Sequence, residues 1–346
     1  MELKLVDNEQ VLCKELIRRI KTYVFVKNMS VEEWREKRKN SIGGSDAGAI
    51  LGMNKWASPL TVYLDKKDIT KFEGNEATRR GTWLEAPIRE KCREELGIII
   101  EEVPYMFYSN DYDFMSANID GLVYVEEVKT IAGVEVKGLG GHEIKTSERG
   151  DGFSDNEIPD SYFVQVQHYM KVLDLPYFIL SAYIMNKNEI KHYVIKKNEA
   201  FIKVLIEKEK DFWENYVTKD VIPAPSGCDA DGSAINTLLK GSAETLVLDE
   251  ESERLCAEYS LINKEIKDKE YRKAEIANTI KLKIIERQDG KDEEKAHAVA
   301  GEYKISYTKF LRKSVDTEKL KKDGLYDQYA KISESSTLRI TEPKMK

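Results

Sequence analysis

Cysteine and histidine are scarce in this chain, with four of each among 346 residues. Cys13, Cys92, Cys228 and Cys256 form no C-x-x-C pair, and His142, His168, His192 and His297 are equally isolated. That scatter argues against zinc and iron–sulfur sites and suits reduced thiols in a cytosolic setting. Long apolar runs are missing too: none approaches the roughly 20 residues that span a bilayer. The opening MELKLVDNEQ is acidic where a signal peptide would be basic and then apolar, so a cytoplasmic location is expected. Positive charge is in deficit, with 55 Lys and Arg against 62 Asp and Glu, a net charge of −7. This argues against a surface coated in basic patches for nucleic acid. It leaves room for a carboxylate-rich metal site inside a locally basic groove.

What is present, 41% hydrophobic and 34% charged residues, is the make-up of a globular protein with one large domain and a smaller one. VLCKELIRRI is amphipathic, and Ser30 with Glu33 forms a capping box before a second helix. In RKNSIGGSDAGAILGMNKW, Gly43 and Gly44 allow a tight turn, and Ser45 or Asp46 is placed to cap the amides of a helix over 47–51. Such a helix start also attracts anions, and Arg38 lies seven residues upstream. Ser58-Pro59 starts another helix. NEATRRGTWLEAPIREKCREELG reads as helix to Gly97, with Pro87 expected to break or kink it beside Glu85.

From Ile98 the period shifts to strands rich in β-branched and aromatic residues: IIIEEVPYMFY, MSANIDGLVYV and GVEVKGLGGHEIKT. SYFVQVQHYMKVL returns to helix, YFILSAYIM and IKHYVIKK form a hairpin around 186–189, and EAFIKVLIEKEKDFWENYV is an amphipathic helix. The order is α/β with a mixed sheet flanked by helices. Residues 1–222 are expected to form the main domain, 223–240, rich in Pro, Gly and Asp, a linker, and 241–346 a mainly helical region with a strand or hairpin. There, Leu255, Tyr259, Ile262 and Ile266, then Ile276, Ile280 and Ile284, keep helical spacing. Lys269 and Lys273 interrupt the seam, favouring a long helix or helical hairpin over a continuous coiled coil.

The chemistry-bearing group is Asp120 on one strand and Glu143-Ile144-Lys145 on a later one. Residues two apart on a strand share a face, so Glu143 and Lys145 project together and a neighbouring strand can bring Asp120 beside them. Two carboxylates and a lysine suit a hard cation such as Mg²⁺, with the lysine stabilising an oxyanion or orienting water. Such a set hydrolyses phosphodiesters. The pattern is weak alone, because Glu127-Val128-Lys129 and Glu135-Val136-Lys137 fit it equally.

Five separated motifs over roughly residues 30–220, namely RKNSIGGSDAGAILGMNKWASPL, GTWLEAPIREKC, SANIDGLV, HEIKTS and EIPDSYFVQVQHYMKVLDL, resemble the YqaJ viral recombinase family. These are phage nucleases related to lambda exonuclease. The resemblance implies a restriction-endonuclease-like PD-(D/E)XK core and Mg²⁺-dependent degradation of linear double-stranded DNA from 5′ ends to 5′-mononucleotides. It implies two Mg²⁺ ions, with Mn²⁺ able to substitute. Glu85 becomes a helix carboxylate near the metals, Asp120 and Glu143 the central ligands, joined by the Ile144 carbonyl, and Lys145 the catalytic lysine. The following Thr146 and the later helix select this triplet, although the long stretch after Asp120 leaves Glu135 and Lys137 as a rival.

Gln165 and Tyr169 match the family's QxxxY pair and share a helix face. In an ordinary helix they would be a surface residue and a core aromatic; the resemblance turns Gln165 toward the active site, while His168 reads as structural. Arg38 and Ser45 match positions that hold the terminal 5′-phosphate, and Met53 is a candidate to separate strands. The resemblance further implies a phage- or prophage-encoded enzyme in a bacterial cell, acting beside a single-strand annealing recombinase, with a ring-shaped homo-trimer as the assembly. An endonuclease or repair nuclease on the same fold, and a non-catalytic DNA-binding module, are the alternatives.

Overall fold

The computed structural model describes residues 11–27, 29–70, 76–239, 245–287, 295–331 and 338–340. The opening segment used for the signal-peptide argument, Met1–Gln10, lies outside these, as does Asn75 before the Glu85 helix. The chain divides into two compact units, Met1–Leu239 and Lys240–Lys346.

The first unit begins with α1 (Val11–Arg19), β1 (Thr22–Phe25), α2 (Val31–Lys39), α3 (Gly44–Ile50), α4 (Pro59–Lys66) and α5 (Glu76–Leu96). The capping boxes at Ser30 and Ser58 form as the sequence requires: each hydroxyl accepts the amide three residues on. Next come the strands β2 (Ile99–Glu101), β3 (Tyr105–Tyr108), β4 (Ser116–Asn118), β5 (Gly121–Ile131) and β6 (Val134–Ser147). After α6 (Asp160–Leu173) lie β7 (Tyr177–Ile184), β8 (Glu189–Lys196), α7 (Glu199–Phe212) and α8 (Asp229–Leu238).

Five strands form one sheet in the order β2-β5-β6-β7-β8, with β6 at its centre. The β6–β7 pair is parallel and the others are antiparallel, so the sheet is mixed as expected. Parallel pairing demands a crossover, and α6 supplies it. Both faces of the sheet are covered. On one side Val166, Tyr169, Met170 and Leu173 of α6 pack on Phe178 and Leu180. On the other, Ile88, Cys92 and Leu96 of α5, spaced by four, pack on Val123, Ile144 and Ile179. Each such side chain taken from water contributes about 1.5–3 kcal/mol.

Two expectations are corrected. The break allowed for at Pro87 is absent, because α5 is one helix from Glu76 to Leu96. A mid-helix proline costs about 3 kcal/mol, but the buried Ile88, Cys92 and Leu96 beyond it keep the next turns on the sheet. The stretch 223–240 is not simply a linker, because its residues 229–238 are α8, seated on the first unit. There Asp231, 1% exposed, accepts hydrogen bonds from the hydroxyls of Ser58 and Ser226.

The second unit contains α9 (Glu250–Ile285), the hairpin β9 (Lys295–Ala300) and β10 (Tyr303–Thr308), then α10 (Thr317–Lys322) and α11 (Tyr326–Tyr329). The apolar spacing over 255–284 thus resolves as one long helix, started by the Asp249 carboxylate on the Ser252 amide at 2.9 Å. Its Leu255, Tyr259, Ile262 and Ile266 are exposed.

Candidate active site

The site lies where β5 and β6 begin their pairing. Gly121 of β5 stands opposite His142 of β6, so Asp120, one residue before β5, faces Glu143. The Asp120 carboxylate accepts the Ile144 amide at 2.8 Å. That bond ties the residue before β5 to the central strand.

Strand alternation sends Glu143 and Lys145 to the α6 face while Ile144 enters the core beneath α5. Glu143 is 3% exposed. One of its oxygens, Oε1, accepts both Lys145 Nζ at 2.8 Å and Gln165 Nε2 at 2.9 Å. The other, Oε2, is buried without a hydrogen-bond partner. Gln165 Nε2 also donates to the Tyr169 hydroxyl at 3.0 Å, so the QxxxY pair faces the carboxylates together. Lys145 Nζ lies 5.0 Å from the centre of the Tyr162 ring.

The charges are mutually strained. Burial and then the adjacent Asp120 push the Glu143 carboxyl up to about 8. Burial and then Asp120 likewise push Glu85, on α5, up to about 7. Burial also raises Asp120, against the pull of Lys145 and the Ile144 amide. Burial alone would lower Lys145, yet Glu143 and Asp120 outweigh it and keep the lysine a firm cation. Three buried acidic groups resisting ionisation, two of them also pushed up by Asp120 and one with an orphaned oxygen, form an arrangement that a cation relieves.

Among the described residues no three His, Cys, Asp or Glu side chains group as metal ligands. Magnesium does not require that: it is commonly held by one or two carboxylates, with waters and substrate phosphate completing its shell. The all-oxygen donors Asp120 and Glu143, and the unpartnered Glu143 Oε2, fit it.

A second cluster sits beside the first. Arg38 Nη2, at the end of α2, donates to Ser45 Oγ at 2.9 Å and to Asp46 Oδ1 at 3.2 Å. The α3 helix starts at Gly44, earlier than the expected 47, so Asp46 is inside it and accepts the Gly43 amide at 3.0 Å instead of capping the amides of later residues. Lys66, its side chain fully buried, donates to Asp46 Oδ2 at 2.7 Å and to the Arg38 carbonyl at 2.9 Å. Burial would push Asp46 up, but Lys66 and then Arg38 hold it down at about 2. The α3 helix is only two turns long.

The two clusters touch at Gly44. A Cβ built there would stand 2.5 Å from the Tyr169 ring and 2.9 Å from Gln165. Only glycine allows the turn to lie so close to α6.

The rival triplets lie elsewhere. Glu135 and Lys137 are exposed at the far end of β6, where Glu135 stands opposite Thr130. Glu127 is exposed, and Lys129 Nζ caps the carbonyls of Leu96 and Gly97 at the end of α5. His168 is fully buried and satisfied by Glu209 and the Ser116 carbonyl, each at 2.8 Å. Met53 is exposed.

The YqaJ-like viral recombinase domain matches residues 33–175, a span that contains every candidate site residue. An uncharacterized protein of Bacillus subtilis (strain 168), YqaJ, is 30% identical over 326 residues, covering 91% of this chain and 95% of that protein. The chain belongs to the YqaJ family. Among solved structures it is similar to the alkaline exonuclease LHK-Exo from Laribacter hongkongensis, with TM-score 0.42 and 19% identity over 55% of this chain and 94% of that one. It is also similar to a phage-related exonuclease from Haemophilus somnus 129PT, with TM-score 0.37 and 14% identity over 54% of this chain and 98% of that one.

Within this YqaJ-family site, Asp46 and Lys66 behind Arg38 were not visible as functional residues in the sequence. Their one signal is a lysine closing the apolar stretch LTVYLDK, where a solvated residue would break the buried face. No helix among the described residues is long and apolar enough to cross a membrane.

Proposed function

We propose that the chain is a magnesium-dependent deoxyribonuclease that degrades linear duplex DNA from 5′ ends. It releases 5′-mononucleotides and leaves 3′ single strands for phage-type recombination. The observation that carries this reading is Glu143, buried, held by two donors on one oxygen and by none on the other, with Asp120 alongside. Asp120 and Glu143, with the Ile144 carbonyl and Glu85, would hold two Mg²⁺ ions, or Mn²⁺ in their place. Bound there, the metal would supply activation of water as nucleophile and charge stabilisation for the departing 3′-oxygen.

The chain's own residues do the rest. Lys145, hydrogen-bonded to Glu143, holds positive charge at the reacting phosphate, where charge develops in the transition state. Gln165 fixes the Glu143 rotamer and is itself held by Tyr169. Arg38 and Ser45 receive the terminal 5′-phosphate, the anion that each cleavage regenerates, and the arginine fork suits it. Asp46 and Lys66 keep that arginine in place before the phosphate arrives.

The test uses purified protein with Mg²⁺ on three labelled duplexes: linear with 5′-phosphate, linear with 5′-hydroxyl, and covalently closed circular. Mononucleotides from the first, fewer from the second and none from the third are expected. Cutting of the circle would make the protein an endonuclease; no metal-dependent cleavage of any substrate would leave a DNA-binding module.

A further inference from the structure

The loop between β6 and α6, ERGDGFSDNEIP, has no part in the carboxylate cluster, yet it is tightly built. Gly150 and Gly152 both take positive φ, at 82° and 80°. A Cβ on Gly152 would stand 2.9 Å from Pro159, so the left-handed turn is compact as well as strained for any other residue. The Phe153 amide closes back on the Gly150 carbonyl at 3.0 Å, and the Tyr162 amide on the Pro159 carbonyl at 2.9 Å. These turns bring Phe153 and Tyr162 into a stack, 5.8 Å between centroids and 23° between planes. Tyr193 of β8 packs on Phe153 in turn, tilted by 36° with 6.0 Å between centroids, and its hydroxyl donates to the Ser154 carbonyl.

Lys145 places its ammonium over the Tyr162 ring, 5.0 Å from its centre. Its other contact is Glu143 Oε1. A lysine side chain has four rotatable bonds and three equivalent donors, so one carboxylate oxygen does not fix where the charge lies. A ring face on the opposite side does, because the quadrupole attracts the cation over the ring and bars it from swinging past. Tyr162 also lies three residues before Gln165 and seven before Tyr169, on the α6 face that carries both.

We propose that Tyr162 is the positioning residue for Lys145. Its ring, backed by Phe153 and Tyr193, holds the ammonium beside Glu143 and away from solvent, and its aromatic face rather than its hydroxyl does this. The kinetic consequence rests on the nuclease reading; the placement of Lys145 does not.

Two measurements separate these. In protein carrying ¹³C at lysine Cε, the Lys145 signal, assigned by its absence in Lys145→Arg, is shifted upfield by the ring current. The shift persists in Tyr162→Phe and vanishes in Tyr162→Leu. An unshifted Lys145 signal in the unsubstituted protein overturns the proposal whether or not the protein cleaves DNA. In the Mg²⁺-dependent cleavage assay, Tyr162→Leu lowers kcat about tenfold with KM unchanged, and Tyr162→Phe restores it. Equal losses in the Phe and Leu variants would assign the role to the hydroxyl and overturn the ring's part. Should Tyr162→Leu fold poorly, Phe153→Leu leaves Tyr162 and Lys145 in place and tests the backing of the ring, with a smaller loss of kcat and a reduced upfield shift. An unchanged kcat and shift there would overturn that backing.

Discussion

The two ends of β6 carry the same three-residue pattern in different surroundings. At one end Glu143 is almost fully buried, shares an oxygen between Lys145 and Gln165, and faces Asp120. At the other, Glu135 and Lys137 stand in solvent near the turn that returns β6 to β5. Alternation alone makes both triplets, because any strand places residues i and i+2 on one face. What separates them is what covers that face. At the first end Gln165 and Tyr169 of α6 lie over the carboxylates, while at the second Glu135 and Lys137 are exposed. Burial converts a charge alternation into a site by making each ionised group depend on its neighbours.

The strongest way to break that comparison is to remove the charge across the strand. Asp120→Asn keeps the shape and the bond to the Ile144 amide but loses the anion. Nuclease turnover should fall on the order of 1000-fold or more, read as mononucleotide release, with circular dichroism unchanged. Activity near the unsubstituted level would remove Asp120 from the site.

A smaller effect probes the pocket beside the buried end. Arg38→Ala should lower the rate advantage of 5′-phosphorylated over 5′-hydroxyl duplexes by about tenfold, since one charge-assisted bidentate contact is lost. An unchanged ratio would return Arg38 to holding Asp46.

Acidity offers a third test. Glu143 and Glu85 keep their protons in the folded chain up to about 8 and 7, where the unfolded chain has already released them above about 4.5. The folded state therefore binds more protons in that window, and stability without metal falls as pH rises through it. Added Mg²⁺ favours the ionised carboxylates, so the rise in Tm that it produces should grow from about pH 6 to about pH 8.5 and shrink in Glu143→Gln. A metal-induced rise independent of pH would speak against these carboxylates as its ligands.

The mildest change sharpens the contrast with the remaining triplet. Lys129→Met removes the cap on the Leu96 and Gly97 carbonyls and should cost about 1 kcal/mol in urea unfolding while leaving cleavage unaffected. Loss of cleavage without loss of stability would give that lysine a role the fold does not.

Much of the fold and the site is legible in the sequence alone. Local rules suffice for capping at Ser30 and Ser58, where a side chain meets an amide three residues away, and for the change from helix to strand at Ile98. The motif order favours Glu143 over Glu135, which spacing could not, and the structure buries the first and exposes the second. The misses have long-range causes. Pro87 reads as a break because its penalty is local, whereas the burial that carries α5 past it comes from the sheet. Residues 223–240 read as a linker because Asp231 finds its partner Ser58 far away in sequence. Asp46 reads as a cap because nothing in SDAG reveals a buried lysine twenty residues on.

Which end of β6 performs the chemistry is decided by one assay. Mononucleotide release from a linear 5′-phosphorylated duplex with Mg²⁺ is compared for the unsubstituted protein, Glu143→Gln and Glu135→Gln. Full activity in Glu135→Gln and none in Glu143→Gln is the predicted result. The reverse, or equal activity in both variants, would contradict the assignment of the site to the buried end.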